Sequence, residues 1–252
     1  AGSYLRVEHP GDPNIGYTVM GPEFTTVPVL SAALEDLGGT KLNWTRDNET
    51  GAVAYTIDRP EATFSAEFVP HLEHVECLFT AWPKPEAQVD SRHMVGPCVQ
   101  MKNGIFEGDS ADLMSRMFFL ADGNWTTLAS CANGNAINVQ YVKGNASPDA
   151  EGRMATPGLK TIHNPRPDVP LMACLSKDGA WVAATAAENG MSIYSNTKTE
   201  SRRCMHSHGS VPTRRDGPAT LRVNAYLVRG SLEDVRIKYQ RDRARWAATR
   251  PA

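Results

Sequence analysis

The sequence predicts an all-β fold, an antiparallel β-sandwich that ends in a short C-terminal helix. Two observations support this prediction: turn residues repeatedly separate pairs of strand-like runs, and patterns typical of helices are scarce. A third observation concerns size, because 252 residues without a composition break or a long linker fit one large β domain. We therefore expect a single β-sandwich domain over residues 1–252.

Three β-hairpins are predicted from the turns between strand-like runs. Two of the turns are Asp122-Gly123 and Asp178-Gly179, and Asp-Gly permits the positive φ angles that a type I′ turn requires. The run before the third turn, at residues 58–61, alternates with the period of a strand. The predicted pairs are residues 117–120 with 125–128, 171–175 with 181–185, and 52–57 with 63–69.

The remaining elements are shorter strands and one well-marked helix. Ser231 is a predicted N-cap, with Asp234 three residues further on, for a helix that runs to about Ala247. Residues 31–37 could add one or two helical turns, and residues 144–170, rich in Pro and Gly, are expected to form a long surface loop. Further strand candidates are residues 75–80, 95–102, 137–142, 191–195 and 221–228. Short strands at this spacing are typical of a sandwich, for example of the jelly-roll type, or of a barrel.

Composition and charge exclude several classes of function. The formal net charge is −2 and charged residues make up 21% of the chain, so we expect no nucleic-acid partner. No apolar run is long enough to span a membrane, so no membrane partner is expected. GxGxxG, Walker and GxSxG motifs are missing, which argues against a nucleotide cofactor and a serine nucleophile. The five cysteines lack zinc-finger spacing and are expected to be buried small side chains, although a disulfide that includes Cys204 stays open.

Histidines form the most distinctive candidate site. Cys204, His206 and His208 alternate along one segment, so an extended strand turns all three side chains to the same face. This spacing suits a site in which His206 and His208 bind a divalent metal ion. Proton transfer by one of these histidines and a purely structural role are the alternatives. A second segment contains His71 and His74 beside two glutamates.

Other candidate residues lie near predicted strand ends or in the long loop. His163 lies in that loop, where packing does not require an imidazole, and Tyr194 precedes the histidine segment. Trp82 stands at a strand end, where a sugar could stack on its indole. The candidate catalytic residues are His206, His71, His163, Tyr194 and Arg203, and the candidate substrate-binding residues are Arg92, His93 and Trp82.

Proton transfer by His, Tyr, Glu and Arg is the chemistry that remains for an enzyme on this scaffold. It includes β-elimination from a uronic acid, ring opening of a sugar hemiacetal, and glycoside hydrolysis by two carboxylates. Elimination requires a base and a cation that neutralises the substrate carboxylate. Arg203 or Arg92 could supply the cation, and His206 or Tyr194 the base.

The C-terminal third of the sequence resembles a known group of proteins. Segments 176–181, 195–196, 204–207 and 230–234, which read SKDGAW, SN, CMHS and GSLED, are similar to those of poorly characterised exported bacterial β-sandwich proteins. The shape of that group resembles the galactose-mutarotase-like supersandwich, which also occurs in polysaccharide lyases and glycoside hydrolases. The resemblance implies work on sugars and a secreted or periplasmic location after removal of a signal peptide.

Three hypotheses of function follow. The first is a carbohydrate-active enzyme that uses His, Tyr and Arg in acid–base chemistry on a sugar or acidic polysaccharide, with a lyase or glycoside hydrolase favoured. The second is a non-catalytic carbohydrate-binding or accessory module. The third is a metal-dependent enzyme that uses His206 and His208. The first requires His71, His163 and His206 to meet in one water-accessible pocket.

Overall fold

The computed structural model describes residues 4–21, 42–58, 62–84, 93–101, 104–145, 159–198, 203–211 and 218–249. The α-helices in these ranges are α1 (Ser110–Arg116) and α2 (Leu232–Ala248). In chain order the strands are β1 (Tyr4–His9), β2 (Asp12–Met20), β3 (Thr45–Arg46), β4 (Val53–Asp58), β5 (Ala62–Pro70), β6 (His74–Pro83), β7 (His93–Val95), β8 (Cys98–Gln100), β9 (Met117–Ala121), β10 (Asn124–Thr127), β11 (Ile137–Tyr141), β12 (Lys160–Thr161), β13 (Leu171–Leu175), β14 (Trp181–Ala187), β15 (Gly190–Asn196), β16 (Cys204–Val211) and β17 (Ala219–Arg229).

The strands form two sheets. Sheet A has the order β1-β2-β8-β16-β15-β11-β12, with β7 also pairing with β16. Sheet B has the order β10-β9-β13-β14-β17-β6-β5-β4-β3. Pairing is antiparallel throughout sheet B, and in sheet A the pair β11 and β12 is parallel. The predicted all-β sandwich with a C-terminal helix is confirmed.

The main core lies between the sheets because every strand turns alternate side chains inward. Sheet A contributes Tyr17, Val99 and Met205 to it, and sheet B contributes Phe64 and Phe79. All five are almost fully buried. Side chains that neighbour these residues along a strand therefore point away from the core, which defines the outer face of each sheet.

Helix α2 covers the outer face of sheet B. Tyr226 of β17 packs in one buried cluster with Tyr239 and Trp246 of α2. The helix begins as predicted, because the Ser231 side chain accepts a hydrogen bond from the Asp234 N–H while the Asp234 carboxylate accepts one from the Ser231 N–H. None of the described helices is long and apolar enough to cross a bilayer.

All three predicted hairpins are confirmed. At the first turn, Asp122 and Gly123 have φ angles of 52° and 76°, as a type I′ turn requires. In the three hairpins, Trp125 lies opposite Leu120, Val182 opposite Leu175, and Phe64 opposite Ile57.

The prediction of one strand over residues 95–102 is wrong, because β7 and β8 are separate strands with Gly96 and Pro97 between them. Gly96 passes so close to β16 that a Cβ atom there would lie 2.6 Å from the Ser207 carbonyl oxygen. Pro97 has no N–H to give to a ladder. The chain is therefore interrupted at Gly96 and Pro97, and β7 and β8 pair with separate parts of β16.

Two other regions differ from the predictions or lie beyond them. Helix α1 was not predicted, although Asp109 caps it by accepting a hydrogen bond from the Asp112 N–H. The expected loop at residues 144–170 contains β12, which pairs in parallel with β11. Residues 31–37 and residues 146–158 of that loop lie outside the described residues.

Candidate functional site on the outer face of sheet A

The predicted histidine strand is β16, near the middle of sheet A. Met205 belongs to the core between the sheets. Cys204, His206 and His208 therefore point to the outer face, as the alternation in the sequence predicts. All three are almost fully buried.

Neighbouring strands continue this arrangement. On β15, Ser192 lies opposite His208, and Tyr194 lies opposite His206. On β8, Gln100 lies opposite Cys204. We call this surface the polar face and define it by eight residues, each no more than 8% exposed. They are Cys98, Gln100, Ser192, Tyr194, Asn196, Cys204, His206 and His208.

Side chains of the polar face contact one another across the strands. The Tyr194 ring lies edge-on to His206 at a centroid distance of 4.9 Å, and the two histidine rings are 5.3 Å apart. The Cys204 Sγ atom lies 3.1 Å from His206 Nε2. Ser192 Oγ lies 3.4 Å from His208 Nδ1. The face is therefore a connected layer of polar groups rather than a set of isolated ones.

Burial keeps both imidazoles neutral. It lowers the pKa of His206 well below its ordinary value, and the neighbouring His208 lowers it further, against a backbone hydrogen bond at Pro97 that raises it. Burial also lowers the pKa of His208 to about 3. At neutral pH each ring therefore has one nitrogen that can accept a proton or bind a metal ion.

The structure brings some of the predicted site residues together and separates others. Tyr194, His206 and His208 meet on the polar face. His71 lies in the turn between β5 and β6 of sheet B, where its ring stacks on His74 at 4.3 Å. The core between the sheets separates His71 from His206, so the expected meeting of these two residues does not occur. His71 lies at the end of sheet B because it belongs to the turn that joins β5 to β6, and these two strands pair with each other.

The remaining candidates lie at edges. His163 is exposed and follows β12 at the edge of sheet A. Trp82, on β6 of sheet B, is 40% exposed. His93 begins β7, opposite Val211 of β16, while Arg92 lies outside the described residues.

Arg203 lies directly before β16, and its side chain is half-buried. Its carbonyl oxygen accepts a hydrogen bond from the Met101 N–H, which ties the start of β16 to the end of β8. The Nε atom is buried and has no hydrogen-bond partner among the described residues. Because Arg203 pairs with Met101 and shares the parity of Met205, both of which belong to the core, its side chain starts on the inner side of sheet A and not on the polar face.

Cys98 and Gln100 were missed by sequence reasoning. Both lie on a three-residue strand that reaches β16 from far along the chain, and no local pattern fixes that pairing. None of the five cysteines, all of which the structure describes, forms a disulfide, so the one left open for Cys204 is not present. Four of the five are buried, as predicted, and Cys131 is half-buried.

Comparisons with known proteins find distant similarity to solved structures and no family. No protein-family model and no curated protein matches the chain, so the mutarotase-like class has no family match in support. One similar solved structure is HI1317, with a TM-score of 0.40 and 10% identity over 84% of this chain and 74% of that one. Another is the α-N-acetylgalactosaminidase NagBb from Bifidobacterium bifidum in complex with Gal-NHAc-DNJ, with a TM-score of 0.37 and 11% identity. That match covers 95% of this chain but only 37% of NagBb.

Proposed function

We propose that the protein binds a carbohydrate on the polar face of sheet A and acts on it by proton transfer. The observation that supports this proposal is the mutual contact of polar and aromatic side chains on the polar face, where Tyr194, His206 and His208 meet. Burying polar groups costs free energy unless they form hydrogen bonds, so a face built from them favours a polar ligand.

The chemistry of the polar face favours a sugar over a charged metabolite. Its amide, hydroxyl and neutral imidazole groups can each both donate and accept hydrogen bonds, as sugar hydroxyls do. The Gln100 Oε1 atom is buried and has no hydrogen-bond partner among the described residues, so it has unused acceptor capacity for a ligand hydroxyl that reaches this face. Tyr194 adds an aromatic surface next to the histidines.

Elimination from a uronic acid fits these residues better than glycoside hydrolysis. Hydrolysis requires two carboxylates, and the polar face contains none. On the same side of the sheet, the edge strand β1 carries Glu8, which pairs with Arg6. Elimination requires a base and an acid, and the proposed groups are His206 and Tyr194.

In this proposal, neutral His206 takes the proton from the carbon next to the substrate carboxylate. The electron pair of the broken C–H bond forms a carbon–carbon double bond, and the bond to the leaving sugar oxygen breaks. The leaving oxygen keeps the electrons of that bond and receives a proton from Tyr194. A cation beside the substrate carboxylate would lower the energy of the carbanion that develops.

Removing hydrogen-bond capacity from the polar face should weaken sugar binding. We expect Gln100→Leu to raise the Kd for oligogalacturonate or alginate oligosaccharides about tenfold, the upper range for one hydrogen bond. Isothermal titration calorimetry measures the Kd. The matched control is Thr220→Val, which removes an exposed hydroxyl from sheet B and should leave the Kd unchanged.

A third variant locates the ligand. Trp82→Ala removes the exposed indole of sheet B and should also leave the Kd unchanged. Loss of binding in Trp82→Ala with normal binding in Gln100→Leu would place the sugar on sheet B and overturn the proposal.

Proton transfer on the polar face should be visible in the product. Incubation with polygalacturonate or alginate should generate an unsaturated sugar, whose ultraviolet absorbance measures the rate. We expect His206→Gln to lower this rate at least a hundredfold. Tyr194→Phe keeps the ring but removes the phenol and should lower the rate less. Reducing ends without unsaturation would show hydrolysis instead, and full activity in His206→Gln would exclude this residue as the base.

A further inference from the structure

Two cysteines and a histidine converge at one end of the polar face. One ligand atom from each of Cys98, Cys204 and His206 lies within 4.8 Å of the others, and all three residues are buried. One of these separations, between Cys204 Sγ and His206 Nε2, is 3.1 Å. Metal ligands in a tetrahedral zinc site lie roughly 3 to 4 Å apart, given bond lengths of about 2.0–2.3 Å. Small rotations of these side chains therefore suffice to surround an ion.

Strand register explains why these residues converge. Gln100 lies opposite Cys204 and Val99 opposite Met205, so the next step of the antiparallel register puts Cys98 opposite His206. Cys204 and His206 lie two residues apart on the same face of β16. The three side chains thus come from two adjacent strands and share one face.

The same register disfavours a disulfide. Cys98 and Cys204 are diagonal neighbours, for which the typical separation is about 7–8 Å. Disulfides usually require Cα atoms about 4.4–6.8 Å apart. An ion between two sulfur atoms bridges a longer distance than a direct bond does, so this geometry suits shared coordination better than oxidation.

We propose that Cys98, Cys204 and His206 bind a thiophilic d10 metal ion, Zn²⁺ or Cu⁺, that holds β8 against β16. Two thiolates and an imidazole are the ligands that both ions prefer. With Zn²⁺, two thiolates give a neutral complex, whose burial costs much less than that of an isolated charge. Gln100 Nε2 donates a hydrogen bond to Cys98 Sγ at 3.4 Å, which supports the thiolate form.

The site is of the structural kind. All three ligands are buried, as in a structural site, and a tetrahedral Zn²⁺ would need a fourth ligand beyond them. β8 has only three residues, and β2 joins the rest of sheet A through it. An ion there would fasten β1 and β2 to the body of the sheet.

Metal titration of the reduced, chelator-stripped protein tests the proposal. Under anaerobic conditions we expect one Zn²⁺ or one Cu⁺ per chain by elemental analysis, with a rise in Tm on binding. Cys98→Ser should weaken binding at least a hundredfold and abolish the rise in Tm. Cys131→Ser removes a half-buried thiol away from the polar face and should bind metal as the unmodified protein does.

Two results would contradict a specific metal site at these residues. Equal metal binding by the Cys98→Ser and Cys131→Ser variants would indicate non-specific thiol binding and overturn the proposal. A Cys98–Cys204 disulfide, seen by mass spectrometry as a loss of two thiols in unreduced protein, would also overturn it. An ion bound to His206 Nε2 would block the proton transfer proposed for that residue. Sugar binding measured on metal-free protein does not depend on the ion, so the two proposals can fail separately.

Discussion

Replacing Asp242 by alanine should lower the free energy of unfolding by about 3 kcal/mol, because the buried Tyr226 hydroxyl loses its acceptor and Asn224 Nδ2 loses one of its two acceptors. Asp242 of α2 is 7% exposed and accepts hydrogen bonds from Asn224 Nδ2 and from the Tyr226 hydroxyl, each at 2.9 Å. Both donors lie on β17 and are fully buried. Burial and the nearby Asp242 carboxylate raise the pKa of Tyr226 well above its ordinary value, so its hydroxyl stays protonated and donates.

Urea denaturation at neutral pH measures this loss. The matched control is Glu233→Ala, which removes an exposed carboxylate of the same helix that pairs with Arg236 and should cost less than about 1 kcal/mol. Asp242→Asn keeps one acceptor oxygen and should fall between the two. Equal stability of the Asp242→Ala and Glu233→Ala variants would show that the buried hydrogen bonds do not anchor the helix.

Local sequence signals predicted much of the fold. The Asp122-Gly123 turn fixes both the position and the register of its hairpin, because a two-residue turn leaves one way to pair the flanking strands. The Asp178-Gly179 pair marks the position of the second hairpin, although only Gly179 has a positive φ there and the loop is longer. The Ser231 and Asp234 capping box marks the start of α2 in the same local manner. Such signals depend on residues within a few positions of one another.

Contacts between distant segments could not be predicted in this way. The alternation of Cys204, His206 and His208 predicts a shared face, but nothing in the sequence predicts that Cys98 joins them. That contact depends on the order of strands in sheet A, which is set by packing of the whole chain. For the same reason Asp242 looks like an ordinary polar residue of an exposed helix, although it is buried against β17.

His74 is a second buried polar residue under α2. Its ring lies 5.7 Å from that of Tyr226, and neither ring nitrogen has a hydrogen-bond partner among the described residues. Burial, followed by electrostatic repulsion from His71, lowers the pKa of His74 to about 4. Lys238 and Arg245 lower it further, and Asp242 opposes them. The folded protein therefore holds this imidazole neutral below the pH at which an exposed histidine becomes protonated.

The free energy of unfolding should consequently fall as the medium becomes acidic. The contribution of neutral His74 is complete above pH 6.5, the unfolded pKa, and is lost as the pH falls towards about 4, since the unfolded chain binds the proton first. We expect His74→Phe, which keeps an aromatic ring against Tyr226, to remove about 2 kcal/mol of this pH dependence. Urea denaturation of both proteins between pH 7.5 and 4.5, roughly the window of this titration, isolates the effect as the difference between them. His206 and His208 are present in both proteins, so their contributions cancel in that difference. Parallel pH profiles of the two proteins would mean that His74 has the same pKa in the folded and unfolded states and would contradict the prediction.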